Sequence, residues 1–254
     1  MLVQINFAIH VSKHSNRFLI IDCFSNAFEN DFNKYFNIPD FNYTTSYECL
    51  YQDSSIDIKS HEKYIKASAL SVGDYYYLDD KLISIIAGDT AKSNEQIIFC
   101  SSIGGVGIWG EIPWYIKVNK DIVDKISREK INEKYIGVHY RNTDMKHDLE
   151  GFIPQILDLS PQTNTVYLAT DDYTALDRLN KLLNNKMNII QRTKPYNNGG
   201  YSIHYGNPNK DEVITNALID MYHLMHSTYF IPSIKSGFSI KIIELRKNNT
   251  LFKY

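Results

Sequence analysis

A chain of 254 residues has room for one large domain or two modest ones, and 43% hydrophobic with 22% charged residues excludes both a disordered chain and a membrane-embedded one. A net charge of −2 excludes a protein that coats nucleic acid, which needs a basic surface to displace counterions, though it leaves room for a local basic pocket. The three cysteines, Cys23, Cys49 and Cys100, are odd in number, far apart and without metal-ligand spacing, so a reducing, cytoplasmic compartment is expected rather than a disulfide framework.

Residues 3–14 have helical spacing, with Ile5, Ala8, Ile9 and Val11 largely on one side. The segment lacks a basic region and a small-residue cleavage site, so it reads as a helix and not as a signal peptide. Nowhere does an apolar run approach the roughly 18 residues that a membrane span needs. Phe18-Leu-Ile-Ile-Asp22 is a short apolar run with a polar end, which suits a buried parallel strand. A helix is expected over 25–36, and residues 40–95 show no firm period. Gln96-Ile-Ile-Phe-Cys100 is a strand candidate. The Gly-dense stretch 101–110 fails as a P-loop, because no Gly-Lys-Ser/Thr follows, and reads as a hinge or linker.

The second half is more regular. Helices are expected over 119–130, up to about 158, and over 173–185, 210–227 and 237–247. They alternate with strands at 135–140, 165–169, 187–190 and 229–231. Alternation of this kind implies an α/β fold with a parallel sheet and right-handed crossovers. Two domains are expected, 1–115 and 116–254.

In an open parallel sheet, ligands bind outside the carboxyl ends of the strands. The rule gathers three polar loops into one candidate site: His139-Tyr-Arg-Asn-Thr-Asp144, Thr170-Asp-Asp172 and Pro232-Ser-Ile-Lys-Ser-Gly237. Arg141 offers a planar, five-donor guanidinium suited to a departing diphosphate, and His139 lies two residues back on the same side of the strand. Asp144 either orients Arg141 or pairs with it at the start of a helix. Asp171 and Asp172 could hold a cation, but capping or donor contact is the favoured reading. Ser236 and Gly237 open the last helix, whose N-terminal N–H groups form an anion site. Asp220 could accept from guanine N1–H and N2–H, or serve as a buried anchor. Asp79 and Asp80 read as a solvated turn. His223 and His226 lack a third ligand for a metal, and no nucleophile elbow supports hydrolase chemistry.

Three of these segments resemble the fucosyltransferase superfamily of α1,6-, α1,2- and protein-O-fucosyltransferases. Tyr135-Ile-Gly-Val-His-Tyr-Arg-Asn-Thr-Asp144 is similar to its first motif and Val166-Tyr-Leu-Ala-Thr-Asp-Asp172 to its second. Asp220 through Ile231, with Ser236-Gly-Phe-Ser239, resembles the third. The resemblance covers about 110 residues and implies a GT-B-like fold of two Rossmann-like domains. It further implies GDP-fucose as donor substrate, a glycan or other hydroxyl acceptor, inversion at the sugar carbon, and no cofactor or metal; the alternatives are a transferase of another nucleotide-sugar and a non-catalytic nucleotide- or glycan-binding module. Arg141 would bind the β-phosphate, His139 would sit by the nucleotide and Asp220 would read guanine. Ser236 and the turn after it, Gly237 and Phe238, would contact phosphate, with charge added by Lys235. Asp144, Asp171 and Asp172 would line the donor site. Many α1,6 and α1,2 members carry a second Arg where this chain has Asn142. The catalytic base is not fixed by the motifs; Asp148 and Glu150 stand at a suitable distance.

Overall fold

The computed structural model describes residues 2–15, 19–21, 30–45, 75–78, 81–84, 113–142, 146–195 and 209–253. The chain falls into two compact units, Met1–Cys23 with Asp31–Lys117, and Phe24–Asn30 with Val118–Tyr254.

In the first unit, α1 (Leu2–Ser15) carries a buried Asn6 whose amide donates to the Pro113 carbonyl at 3.0 Å and accepts from Tyr115 N–H at 2.8 Å. Both polar ends are therefore satisfied, as burial demands. Strand β1 (Leu19–Ile20) pairs in parallel with β3 (Tyr43–Thr44), and Ile21 N–H extends the ladder to the Thr44 carbonyl at 2.9 Å.

The helix expected over 25–36 is not found in its described part. Residues 32–37 form a 3-10 turn, Phe32–Lys34, and strand β2, Phe36–Asn37. Asp31 accepts from Asn33 N–H at 3.0 Å, and Asn33 accepts from the Tyr43 hydroxyl at 2.6 Å. Such local side-chain bonds compete with the helical ladder. Phe32 and Phe36, four apart, mimic a helical stripe, but they meet each other (5.3 Å between rings) in a cluster with Tyr43. Strands β4 (Tyr75–Leu78) and β5 (Lys81–Ser84) pair antiparallel. The strand expected at 96–100, the Gly-dense stretch 101–110, and Asp79 with Asp80 lie outside the described residues.

The unit boundary falls inside β6 (Lys117–Val118); in the second unit Val118 N–H bonds the Leu251 carbonyl at 2.9 Å, and α2 (Lys120–Ser127) follows. Strands β7 (Ile136–Tyr140), β8 (Thr165–Thr170), β9 (Asn188–Ile190) and β10 (Tyr229–Ile231) form one parallel sheet in the order β10-β7-β8-β9. Every residue of β7 and β8 is buried, which explains their near-continuous apolar runs. A 3-10 turn (Glu150–Phe152), α3 (Ile153–Leu159) and α4 (Ala175–Leu182) cover one face. There Ile136, Val138, Val166 and Leu168 pack with Phe152, Ile156, Ala175 and Leu179.

The other face meets α5 (Lys210–His226) and α6 (Gly237–Lys247). Gly137 lets α5 approach β7: a Cβ there would stand 2.7 Å from Ser227 Oγ and 3.2 Å from Leu224 Cδ2. The end of α5 is capped by Arg246 of α6, which donates to the carbonyls of Leu224 and Met225 at 3.2 Å and Ser227 at 2.6 Å. Carbonyls at a helix end lack the i+4 N–H partner, and the guanidinium adds to the Ser227 hydroxyl, which donates to the Leu224 carbonyl at 2.7 Å. Among the described residues no helix is long and apolar enough to cross a membrane.

Candidate functional site

The strand order reverses between β7 and β10: the chain steps from β7 to β8 and β9 on one side, then returns to the far side of β7. A crevice opens at the carboxyl ends of strands where such a reversal occurs, because the following loops diverge to opposite sides. Here those loops carry Arg141, after β7, and residues 232–237, after β10. Ser233 ties them together, accepting from Arg141 N–H at 2.9 Å and donating to the His139 carbonyl at 2.8 Å.

His139 lies near the end of β7, buried on the α5–α6 face. Its Nδ1 is 2.7 Å from Ser239 Oγ in α6, and its ring lies 4.9 Å from that of Phe238. Burial first, then the charges of Arg141 and His147, push its pKa down to about 3. The imidazole is therefore neutral at physiological pH and adds no charge beside the guanidinium. Arg141 Nε lies 4.0 Å from the Asp171 carboxylate.

Ser236 caps α6 and is fully buried, yet its Oγ has no hydrogen-bond partner. An orphaned buried hydroxyl costs about 1–3 kcal/mol and calls for a physical reason. Lys235, exposed just before it, holds a left-handed backbone with φ of 63°. A non-glycine residue in that region costs roughly 1–2 kcal/mol, and such strain clusters where a loop must present groups to a ligand. Gly237, first in α6, has open space where a Cβ would stand.

Asp171 and Asp172 are both engaged by Asn142. Its N–H donates to Asp171 at 2.6 Å and its amide to Asp172 at 2.9 Å. Asp172 also accepts from Thr174 N–H at 2.8 Å and the Thr174 hydroxyl at 2.7 Å, in the turn that opens α4. Burial acts to raise the Asp172 pKa, but the bonds from Thr174 and Asn142 outweigh it and hold the carboxyl below its usual range. Asp148 and Glu150 are exposed; Glu150 faces Arg178 at 3.5 Å, and Asp148 accepts from Glu150 N–H at 3.2 Å. Asp144 lies outside the described residues. Among those residues no group of three or more His, Cys, Asp and Glu is arranged to hold a metal ion.

Asp220 sits on α5, buried against the same sheet face as His139. It accepts from the Tyr167 hydroxyl at 2.7 Å, and the Thr193 hydroxyl lies 3.0 Å from both of its oxygens. Burial pushes its carboxyl up to about 7, against the opposing pull of those two bonds. The structure thus links His139, Arg141, Asp171, Ser233 and the start of α6 into one rim, with Asp220 on the wall of the same face.

No family model matches the chain. In sequence it is 29% identical over 136 residues to GDP-fucose protein O-fucosyltransferase 2 of Caenorhabditis elegans, a match covering 49% of this chain and 28% of that protein. Its fold is similar to the apo form of POFUT1, at a TM-score of 0.54 and 11% identity, over 98% of this chain and 91% of that one. It is also similar to the α-1,6-fucosyltransferase NodZ soaked with GDP-fucose, at a TM-score of 0.51 and 17% identity, over 96% of this chain and 87% of that one. The chain resembles the fucosyltransferase superfamily. Its architecture is α/β and GT-B-like, with the second unit a parallel sheet flanked by helices. The chain spans only about a quarter of its curated relative in that superfamily.

Sequence reasoning quoted Ser233 and Tyr167 only as members of longer segments, without a role, and passed over Thr193 and Arg178. The strand-end rule, applied to β9 as it was to the other three strands, would have flagged Thr193. Tyr167 stood within the second motif but drew no role of its own, because an aromatic residue inside a buried strand reads as core.

Proposed function

We propose that the chain is an inverting, metal-independent glycosyltransferase that moves fucose from GDP-fucose to a hydroxyl of a glycan or other acceptor. The observation that carries this reading is the rim at the strand reversal, where Ser233 ties the β7 end that carries Arg141 to the loop leading into α6, whose Ser236 hydroxyl is orphaned. A guanidinium beside helix N–H groups suits a diphosphate that gains charge as its bond to sugar breaks. The likeness to GDP-fucose protein O-fucosyltransferase 2 supports GDP-fucose as the donor.

In this reading the acceptor oxygen attacks the anomeric carbon from the face opposite the diphosphate. The carbon–oxygen bond to the β-phosphate breaks, GDP leaves and the configuration inverts. Arg141, Ser236, Gly237 and Phe238 hold the phosphates, Lys235 adds charge, and neutral His139 sits by the nucleotide. Asp220 accepts from guanine, while Asp171 and Asp144 line the donor side. Of the two candidate bases Asp148 is preferred, because Glu150 already faces Arg178. Donor binding is assigned to residues 116–254 and acceptor selection to residues 1–115.

Incubation with labelled GDP-fucose and a panel of glycan acceptors tests the proposal. Release of GDP together with a fucosylated product is expected, with GDP-mannose left intact. Intact GDP-fucose under every condition would refute it.

A further inference from the structure

The Asp220 carboxylate has two fixed donors around it, and they come from different parts of the sheet. Tyr167 stands in the middle of β8, and burial, followed by the Asp220 charge, pushes its pKa well above the usual phenol range, so its hydroxyl keeps its proton and donates. The His223 ring packs against it at 4.7 Å between centroids, and the hydroxyl points to Asp220 at 2.7 Å. Thr193 lies beyond the end of β9, is 3% exposed, and places one hydroxyl 3.0 Å from each carboxylate oxygen.

A carboxylate offers about four acceptor positions. The Tyr167 and Thr193 bonds occupy part of them and fix the plane in which the rest lie. A guanine edge donates through two parallel N–H groups, one from the ring and one from the exocyclic amine. A carboxylate whose plane is already held matches it without a further cost in side-chain ordering. A hypoxanthine edge keeps the ring N–H and lacks the amine.

We infer that Thr193, with Tyr167, is a positioning residue that sets the Asp220 carboxylate to recognise the exocyclic amine of guanine, and so determines base specificity. The inference rests on the donor reading above. Asp220 supplies the contact, and Thr193 acts through it. A threonine at this place links the strand-end loop after β9 to the base.

The test is calorimetric titration of the full chain with GDP and with inosine diphosphate, for the wild type, Thr193→Val, Thr193→Ser, Tyr167→Phe and Asp220→Asn. The wild type should prefer GDP by about tenfold or more, since a site built around a donor rejects the ligand that lacks it. Thr193→Val, nearly equal in volume, should bring the two affinities to within about threefold, and Thr193→Ser, which restores the hydroxyl, should recover the preference. If Thr193→Val does not fold, Tyr167→Phe carries the same expectation. A Thr193→Val protein that melts earlier but keeps the full preference would make Thr193 merely structural and overturn the inference, with the donor reading intact. A wild type that binds neither nucleotide, or both equally, would overturn the guanine reading of Asp220 and the inference with it.

Discussion

If Asp220 reads guanine as proposed, GDP binding is pH-dependent in a direction that can be worked out. Its carboxyl is pushed by burial from a usual value of 3.8 up to about 7. Guanine N–H donors need the ionised form, so binding requires that a proton leave. About one-tenth of the sites are ionised at pH 6 and about nine-tenths at pH 8, which predicts GDP affinity rising roughly tenfold across that interval. The same shift acts on the unliganded fold. A carboxyl with a folded value above its unfolded one binds protons more tightly when folded. Its contribution to stability is therefore complete below about pH 4 and lost as pH rises to 7, on the order of 4 kcal/mol in total. Calorimetry from pH 5.5 to 8.5, with Asp220→Asn as reference for the titration of the diphosphate itself, measures the effect. Wild-type and Asp220→Asn proteins with parallel pH profiles would refute the reasoning.

Other expectations follow from single contacts. Arg141→Ala should lower fucose transfer by about a hundredfold or more, roughly 3 kcal/mol of transition-state stabilisation, measured by steady-state kinetics with labelled donor. Ser236→Ala removes a hydroxyl that has no protein partner, so it should leave the melting temperature unchanged or higher while weakening GDP binding severalfold. Gly137→Ala places a methyl against Ser227 and Leu224 and should destabilise the fold by about 1–3 kcal/mol, read by urea unfolding. Leu168→Ala, in the middle of the sheet core, should cost about 2–5 kcal/mol by the same measurement.

The second unit was legible because its physics is local. A strand buried on both faces must be apolar along its length, and a covering helix must show a 3.6-residue stripe, so β7, β8, α4 and α5 declare themselves. Candidate residues such as Arg141 and Ser236 stood out as polar groups where apolar strands stop. What stayed hidden is what holds them. Ser233 and Ser239 grip His139 and Arg141 across 92 to 100 positions of sequence, a pairing set only by the sheet order. The first unit misled where Phe32 and Phe36 kept helical spacing while Asp31 and Asn33 bonded the local backbone and Tyr43. Asn142 is intermediate: its departure from the superfamily's second arginine was visible, but its bonds to Asp171 and Asp172 were not.

The central claim is that the strand reversal in the second unit holds a guanosine diphosphate. Calorimetric titration of the wild-type chain with GDP, UDP, ADP and CMP in turn tests it most directly. GDP should bind at least about tenfold more tightly than the others, since only guanine offers Asp220 two parallel donors. Equal affinity for all four, or binding of none, would contradict it.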